Sequence, residues 1–411
     1  MKLYRFRNRQ YCDTDSGMQH FDFSTLGLLL FIASLVAMLT RKWGVPYSVG
    51  LVIAGIALAL LPFGIEMPLT PELIFEFFLP PLVFEAAIQI AWKPFRREMP
   101  VLLALVTLGV ILAASIVATG MHYLIGWSWL GAAFFGILVA ATDPVSVIAM
   151  FKTVKVPHRL HLLVESESLL NDGVAAVGFA ILVMIAQGAE PTAGTISIRL
   201  LTTVLGGIAA GALVAVPLII IAGRTTDRLV EVTLTTLIAY GSFLLAEHFH
   251  LSGVLAALTA GLIVGNYGFM GSISDEGHPA VVNFWEYVAF LVNSLIFILI
   301  GGREAEQSFM PVVGAALAAT LLALVGRAAA IYPVAGMFAR TSIAIPWKYK
   351  HVLVWGGLKG ALALALALAL PASLAEREEI ITVAFAVVAF SIFIQGLTMP
   401  ALMRRLGLIE E

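Results

Sequence analysis

Apolar stretches of about 20 residues recur along almost the whole chain, from Phe23 to Leu402, and that repetition limits the fold more than any other feature. Each stretch is long enough to cross the hydrocarbon core of a bilayer as a helix. Backbone N–H and C=O groups find no water in that core, so a crossing segment must be a helix or a strand of a closed barrel. The runs are too long and too uniformly apolar for the alternating strands of a barrel. Composition agrees. Of 411 residues, 60% are hydrophobic and 12% charged, against roughly 25% charged in soluble domains. The expected class is an all-α polytopic membrane protein.

The pattern predicts about thirteen spans: 22–40, 46–62, 71–91, 99–124, 129–151, 159–187, 196–222, 229–248, 252–268, 279–301, 309–338, 348–371 and 379–403. Lys and Arg in the loops set the orientation. With the N-terminus outside, the inner loops hold Arg41, Lys42, Lys93, Arg96, Arg97, Lys152, Lys155, Arg159, Arg224, Arg228, Arg340, Lys348, Lys350, Arg404 and Arg405. The outer loops hold Arg199, Arg303 and Arg377, and the N-terminal tail Lys2, Arg5, Arg7 and Arg9. The loops outweigh the tail, which predicts N-out and C-in. Residues 1–21 then form an outer tail, 22–405 a single transmembrane unit and 406–411 a short cytoplasmic tail. The polar first 20 residues lack the apolar core of a signal peptide. Cys12 is the single cysteine, so no intramolecular disulfide forms, and a net charge of −2 gives no argument for a nucleic-acid partner.

Two spans are interrupted. The fifth contains Pro144, which lacks a backbone donor and disfavours helix before it. The twelfth carries Gly356, Gly357 and Gly360 in mid-span. Non-helical backbone at that depth is tolerated only inside protein or along a cavity. The two spans lie seven apart, so inverted six-helix units beginning at spans one and eight would place them in equivalent positions. Paired interruptions of this kind point to the binding site of a secondary transporter. A charge stands beside each: Asp143 at one, Lys359 at the other.

Charges inside a bilayer cost roughly 2.5–3.5 kcal/mol each on insertion scales. The chain places Glu76, Glu85, Asp143, Glu165, Glu167, Asp172, Glu247, Glu286, Arg327 and Lys359 within its spans. Carboxylates outnumber cations there, so either protons or mobile cations complete the charge. At about 100° per residue, His161, Glu165 and Ser168 share a helix face with Asp172. Glu167 points elsewhere, towards a pairing with Arg327 or Lys359. Neutral Asn171 can donate to the carbonyls of a broken helix or hold a neighbouring carboxylate. No phosphate-binding loop, nucleophile elbow or His-Glu-x-x-His motif occurs. The expectation is a transporter, not an enzyme, with no cofactor.

TDPVSV (142–147), ESLLNDG (167–173), FFLPPLVFEA (77–86), AYGSFLLAEHFHLSGVLAALTAGL (239–262) and GGLKGA (356–361) together resemble the cation:proton antiporters. The branch is that of the bacterial NhaP-type sodium/proton antiporters and the animal sodium/proton exchangers. The resemblance covers about residues 25 to 405. It implies a NhaA-like antiporter fold of thirteen helices, with inverted repeats and two crossing discontinuous helices. It also implies a homodimer whose dimerisation and core subdomains interleave in sequence. The implied activity is electroneutral exchange of sodium or lithium for protons across the inner membrane, serving pH homeostasis. A potassium/proton antiporter of the same fold is the alternative, and a cation channel a further one. By resemblance, Asp172 is the residue that binds ion and proton, and Asn171 accompanies electroneutral exchange. Thr142 and Asp143 belong to the unwound helix at the cation, and Ser168 and Glu85 add oxygens. Glu167 corresponds to a glutamate paired with the basic residue of a GGLRGA segment. This chain has Lys359 where relatives usually have Arg.

Overall fold

A helix leaves backbone groups unpaired only at its ends, so apolar runs settle in a bilayer as helices packed side by side. The computed structural model describes residues 23–43, 45–61, 69–143, 147–148, 151, 156–189 and 192–409. Every regular element among them is helical. The N-terminal tail, with Cys12, and Pro144, Lys152 and Lys155 lie outside the described residues.

The chain opens with α1 (Phe23–Trp43) and α2 (Tyr47–Leu60), then a π-helical turn (Leu73–Phe78) leading into α3 (Leu79–Gln89). Next, α4 (Trp92–Ala104) and α5 (Val110–Ile125) are joined through a second π-helical turn, Leu105–Gly109. α6 (Trp129–Ala140), α7 (His158–Ala186), α8 (Ala193–Ala222), α9 (Arg228–His248), α10 (Gly253–Asn266) and α11 (Gly277–Glu306) follow. The last part holds α12 (Val313–Met337), α13 (Trp347–Trp355), α14 (Ala361–Leu368) and α15 (Arg377–Phe390). A third π-helical turn, Ser391–Gly396, leads into α16 (Leu397–Arg405).

Nine helical stretches among the described residues are long and apolar enough to cross a membrane. The expected thirteen is reached only by counting the shorter helices and the interrupted stretches with them. The span expected over 99–124 begins earlier, at Trp92. Residues 92–98 are too polar for a hydropathy reading, and Pro94 sits in the first turn, where its missing N–H costs nothing. Side-chain caps mark several starts. Ser128, Thr192, Asp227 and Ser252 each accept from the first-turn amides of α6, α8, α9 and α10.

The helices pack in two groups. One holds α1–α3 and α8–α11: α11 lies on α2 and α3, and α10 on α3, α8 and α9. The other holds α4–α7 and α12–α16: α5 lies on α6 and α12, and α15 on α12 and α14. Outward-facing side chains such as Leu205 and Leu213 on α8, and Leu317 and Leu321 on α12, are exposed and apolar, as a lipid-facing surface requires. A cavity of about 260 Å3 lies where α2, α3 and α11 of the first group face α7, α14 and residues 141–143 of the second.

Candidate functional site

Both interruptions are present. α6 stops at Ala140, and residues 141–143 are not helical. α13 stops at Trp355, and residues 357–360 are not helical before α14 begins. Each break strands carbonyls that have no water to turn to, and an unpaired one in an apolar interior is costly. The structure serves them one by one. Asn171 Nδ2 donates to Ala140 O at 2.8 Å and to Thr142 Oγ1 at 3.3 Å. Lys359 Nζ donates to Ala141 O at 3.1 Å. The Ser168 hydroxyl donates to Thr142 O, and the Thr142 hydroxyl to Ser168 Oγ at 3.2 Å. At the second break, Arg327 Nε reaches Leu353 O at 3.2 Å and Gln395 Nε2 reaches Trp355 O at 3.0 Å.

The breaks also meet each other. The Asp143 amide donates to Leu358 O at 2.8 Å. The GGLKGA glycines make room for this. A Cβ at position 360 would run into the Asp143 carboxylate, and one at 357 into the Arg327 guanidinium. These two positions exclude larger residues for different reasons: one admits a carboxylate beside the cavity, the other an arginine passing behind it.

Asp172 stands between the breaks on α7. It is 9% exposed and lines the cavity. The Thr142 amide is hydrogen-bonded to its carboxylate, yet its Oδ1 has no hydrogen-bond partner among the described residues. Asp143, Glu167 and Lys359 are the charged groups that act on it. The cavity wall adds Glu85, Asp143, Glu165 and Glu286, with Tyr47, Thr142 and Asn293 as uncharged polar groups. No Lys or Arg is among the described residues that line it. Hard carboxylate, hydroxyl and carbonyl oxygens without a competing cation suit an alkali-metal ion or a proton.

Glu167 belongs to a different arrangement. It is 2% exposed, and both its oxygens accept from Arg327, each at 2.7 Å. The expected pairing with the basic residue of the GGLKGA segment is therefore corrected. Arg327 on α12 supplies the planar fork that a carboxylate matches. Lys359, a point donor, is committed to Ala141 O.

The expected buried set also changes. Glu76 and Glu247 are exposed. Glu247 accepts from the Gly253 amide at 3.2 Å, tying the turn between α9 and α10. Glu286 is exposed too, but at the cavity. Ser168 shares the Asp172 face of α7 but turns to Thr142, whereas Glu165 lines the cavity with His161 3.9 Å away. Three buried carboxylates were not read from the sequence. Glu98 takes a bidentate pair from Arg159, whose guanidinium also donates to Ile343 O and Ala344 O. Glu231 accepts from the Ser274 amide and hydroxyl. Glu304 is 5% exposed near the end of α11. Gln395 was missed as well, although a lone amide in the apolar run SIFIQGL was a visible signal.

The chain is similar to known proteins along nearly its whole length. The family model described as "Sodium/hydrogen exchanger, transmembrane" matches residues 28–405. The Na(+)/H(+) antiporter ApNhaP of Aphanothece halophytica is 38% identical over 94% of this chain and 74% of its own length. The low-affinity Na(+)/H(+) antiporter NhaS1 of Synechocystis is 36% identical over 94% of this chain and 74% of its own. The solved structure of the sodium proton antiporter MjNhaP1 from Methanocaldococcus jannaschii superposes with a TM-score of 0.73. That match covers 94% of this chain and 98% of that one at 22% identity, and so bears on the fold alone. A family model spanning nearly the whole chain, with relatives above 30% identity along it, places this protein in the sodium/hydrogen exchanger family, a family of transporters.

Proposed function

We propose that the protein exchanges sodium or lithium for protons, one for one, with cation and proton competing for Asp172. One observation carries this reading. Asp172 is a buried carboxylate on a cavity wall, with one oxygen that has no hydrogen-bond partner among the described residues, set between two stretches of broken backbone. A carboxylate in that position can hold a proton or, ionised, a cation, but not both at once. Thr142, Asp143 and Glu85 stand as the surrounding oxygen donors, while Ser168 and Asn171 hold the broken segment in place.

The count of formal charges supports one-for-one exchange. Glu167 and Arg327 cancel. At the breaks themselves Asp143 and Asp172 then face Lys359, which leaves one negative charge there; Glu165, two turns before Asp172 on α7, stands with His161 and is not in this count. One bound sodium or one bound proton closes that balance equally well. Loaded with either, the segment between the breaks is close to neutral and can move; empty, it carries an uncompensated charge that the bilayer opposes. Obligatory exchange follows from that condition.

The motion proposed is an elevator-type displacement of the second group against the first, alternating access to the cavity. With the N-terminus outside, Glu85, Glu165 and Glu286 all lie towards the cytoplasmic ends of their helices, so the cavity faces the cytoplasm. On this reading the protein lies in the inner membrane, pairs through its first group as a homodimer, and serves pH homeostasis.

The test is proton flux in proteoliposomes under imposed sodium, lithium or potassium gradients, with the membrane potential clamped. Sodium and lithium should drive flux, and the apparent KM for sodium should rise as pH falls, because protons occupy the same carboxylate. Flux driven by a potential alone would overturn the one-for-one stoichiometry. Flux driven by potassium in preference would replace the ion, and conduction without counter-transport would replace antiport with a channel.

A further inference from the structure

Any displacement between the two helix groups must pass through the segments that join them. There are three: residues 90–91 between α3 and α4, 187–192 between α7 and α8, and 307–312 between α11 and α12. The first is the shortest. Two residues hold the end of α3 and the start of α4 within about 11 Å in any conformation. Both are extended, Ile90 at φ −77 and ψ 114, Ala91 at φ −73 and ψ 124.

One side chain from the first group grips this connection. Asn266, the last residue of α10, accepts the Trp92 amide on Oδ1 at 2.8 Å. Its Nδ2 donates to Ile90 O at 2.9 Å and to Leu262 O, in its own helix, also at 2.9 Å. An asparagine at a helix end commonly caps its own helix. This one also holds the carbonyl before the connection and the amide after it. Two further backbone bonds hold its ends: Ile90 N donates to Ala87 O, and Phe95 N to Ala91 O. The helix that carries Asn266 cannot drift from α3. Gly265 is so close to α3 that a Cβ there would run into Ile88 O.

We infer that residues 90–91 are the fixed pivot of the transport motion, and that Asn266 is the positioning residue that holds it. This rests on the exchange reading above. The α3–α10 pair is the stationary mount, α4 is the first element of the moving group, and the amide of Asn266 is the pin between them. The two longer connections leave the far end of the moving group more freedom. As the second group is displaced it then turns about this corner, the change being taken up in α4 beyond the Trp92 amide, with Ile90, Ala91 and the Asn266 contacts left in place. Asn266 is far from the ion in function: it touches neither cation nor proton, and acts on the rate at which access alternates.

The test uses the full chain in proteoliposomes. Asn266→Ala should keep sodium affinity, read as sodium-dependent thermal stabilisation, within about twofold, while turnover falls about tenfold or more. Asn266→Asp keeps the acceptor for Trp92 N–H and loses both donors, and should fall between. Wild-type turnover in Asn266→Ala would overturn the assignment, as would a parallel loss of affinity and turnover. A second measurement does not depend on the variants folding. With Cys12 replaced, spin labels at Tyr267, beside Asn266 in the first group, and Lys93 on α4 should keep their separation between sodium-loaded and proton-loaded conditions. A reference pair at Leu213 and Leu321, one in each group, should change. If the Tyr267–Lys93 pair moves as much as the reference pair, the pivot lies elsewhere. Absence of exchange in the wild-type chain would instead remove the functional reading and leave these label distances to be judged separately.

Discussion

Two buried carboxylates sit little more than a turn apart on α7 and meet opposite surroundings. Glu167 is closed on both oxygens by Arg327, so its charge is cancelled and its lone pairs are used. Asp172 has an amide partner on one side and, among the described residues, an oxygen without a partner on the other, on the wall of a cavity rimmed by further carboxylates. Burial is similar, so burial alone does not separate a structural charge from a working one. Satisfaction does. A buried ion pair with matched geometry has nothing left to bind with, whereas a half-satisfied carboxylate beside a cavity holds a position open for a cation or a proton.

Removing the working charge gives the largest effect expected. Asp172→Asn keeps the shape and an oxygen for the Thr142 amide but ends competition between cation and proton. Exchange in proteoliposomes should disappear, while the apparent melting temperature stays at or above that of the wild type, since an uncompensated charge has gone. The sodium-dependent stabilisation should vanish with it. Retained exchange would erase the distinction between the two carboxylates and remove Asp172 from the site.

Removing one half of the structural pair should hurt folding first. Arg327→Met leaves Glu167 ionised and unpaired in the interior, a change that costs about 3–5 kcal/mol for buried pairs. It also strips a donor from Leu353 O at the second break. Glu167→Gln should cost less, because an amide can still accept from the guanidinium. The double variant should be more stable than the sum of the two losses, by roughly 0.5–3 kcal/mol. Lys359→Ala combined with Glu167→Gln should be closer to additive, because Lys359 bonds to Ala141 O instead. Strong coupling between Glu167 and Lys359 would reinstate the pairing that motif resemblance implied.

The sequence exposed this contrast only in part, for physical reasons. Helix class, the interruptions and Asp172 were legible because a bilayer forbids irregular backbone and bare charge, so each exception stands out in a one-dimensional reading. The face of α7 followed from helical period, although Ser168 turned out to serve Thr142 and not the cavity. Partner choice was not legible. Nothing in the spacing tells whether Glu167 meets Arg327 or Lys359, since both lie far along the chain and only packing brings one of them round. Glu76 and Glu247 look like Glu167 in hydropathy, yet they point outwards. Gln395 was the reverse case: an uncharged residue whose importance appears only once the carbonyl of Trp355 is known to need a donor.

A third carboxylate sharpens the comparison from the weak end. Glu376, just ahead of α15, accepts the Ser128 amide at 2.9 Å and so caps the start of α6, the helix that ends at the first break. Partial burial pushes its carboxyl up, but hydrogen bonds from the Ser128 amide and hydroxyl outweigh that and hold it below the usual value of 4.5. A carboxylate whose folded pKa is lowered stabilises the fold in full above its unfolded value. That contribution is lost as pH falls through the folded one. The melting-temperature difference between wild type and Glu376→Gln should therefore be small and constant above about pH 5.5, and should shrink steadily below pH 4.5. Exchange at neutral pH should be nearly unchanged, because the cap lies at the far end of α6 from the broken segment. A large loss of exchange in Glu376→Gln would mean that the outer end of α6 and the break at 141–143 are mechanically one piece, and that a partly exposed cap acts on the ion site as strongly as the buried pair does.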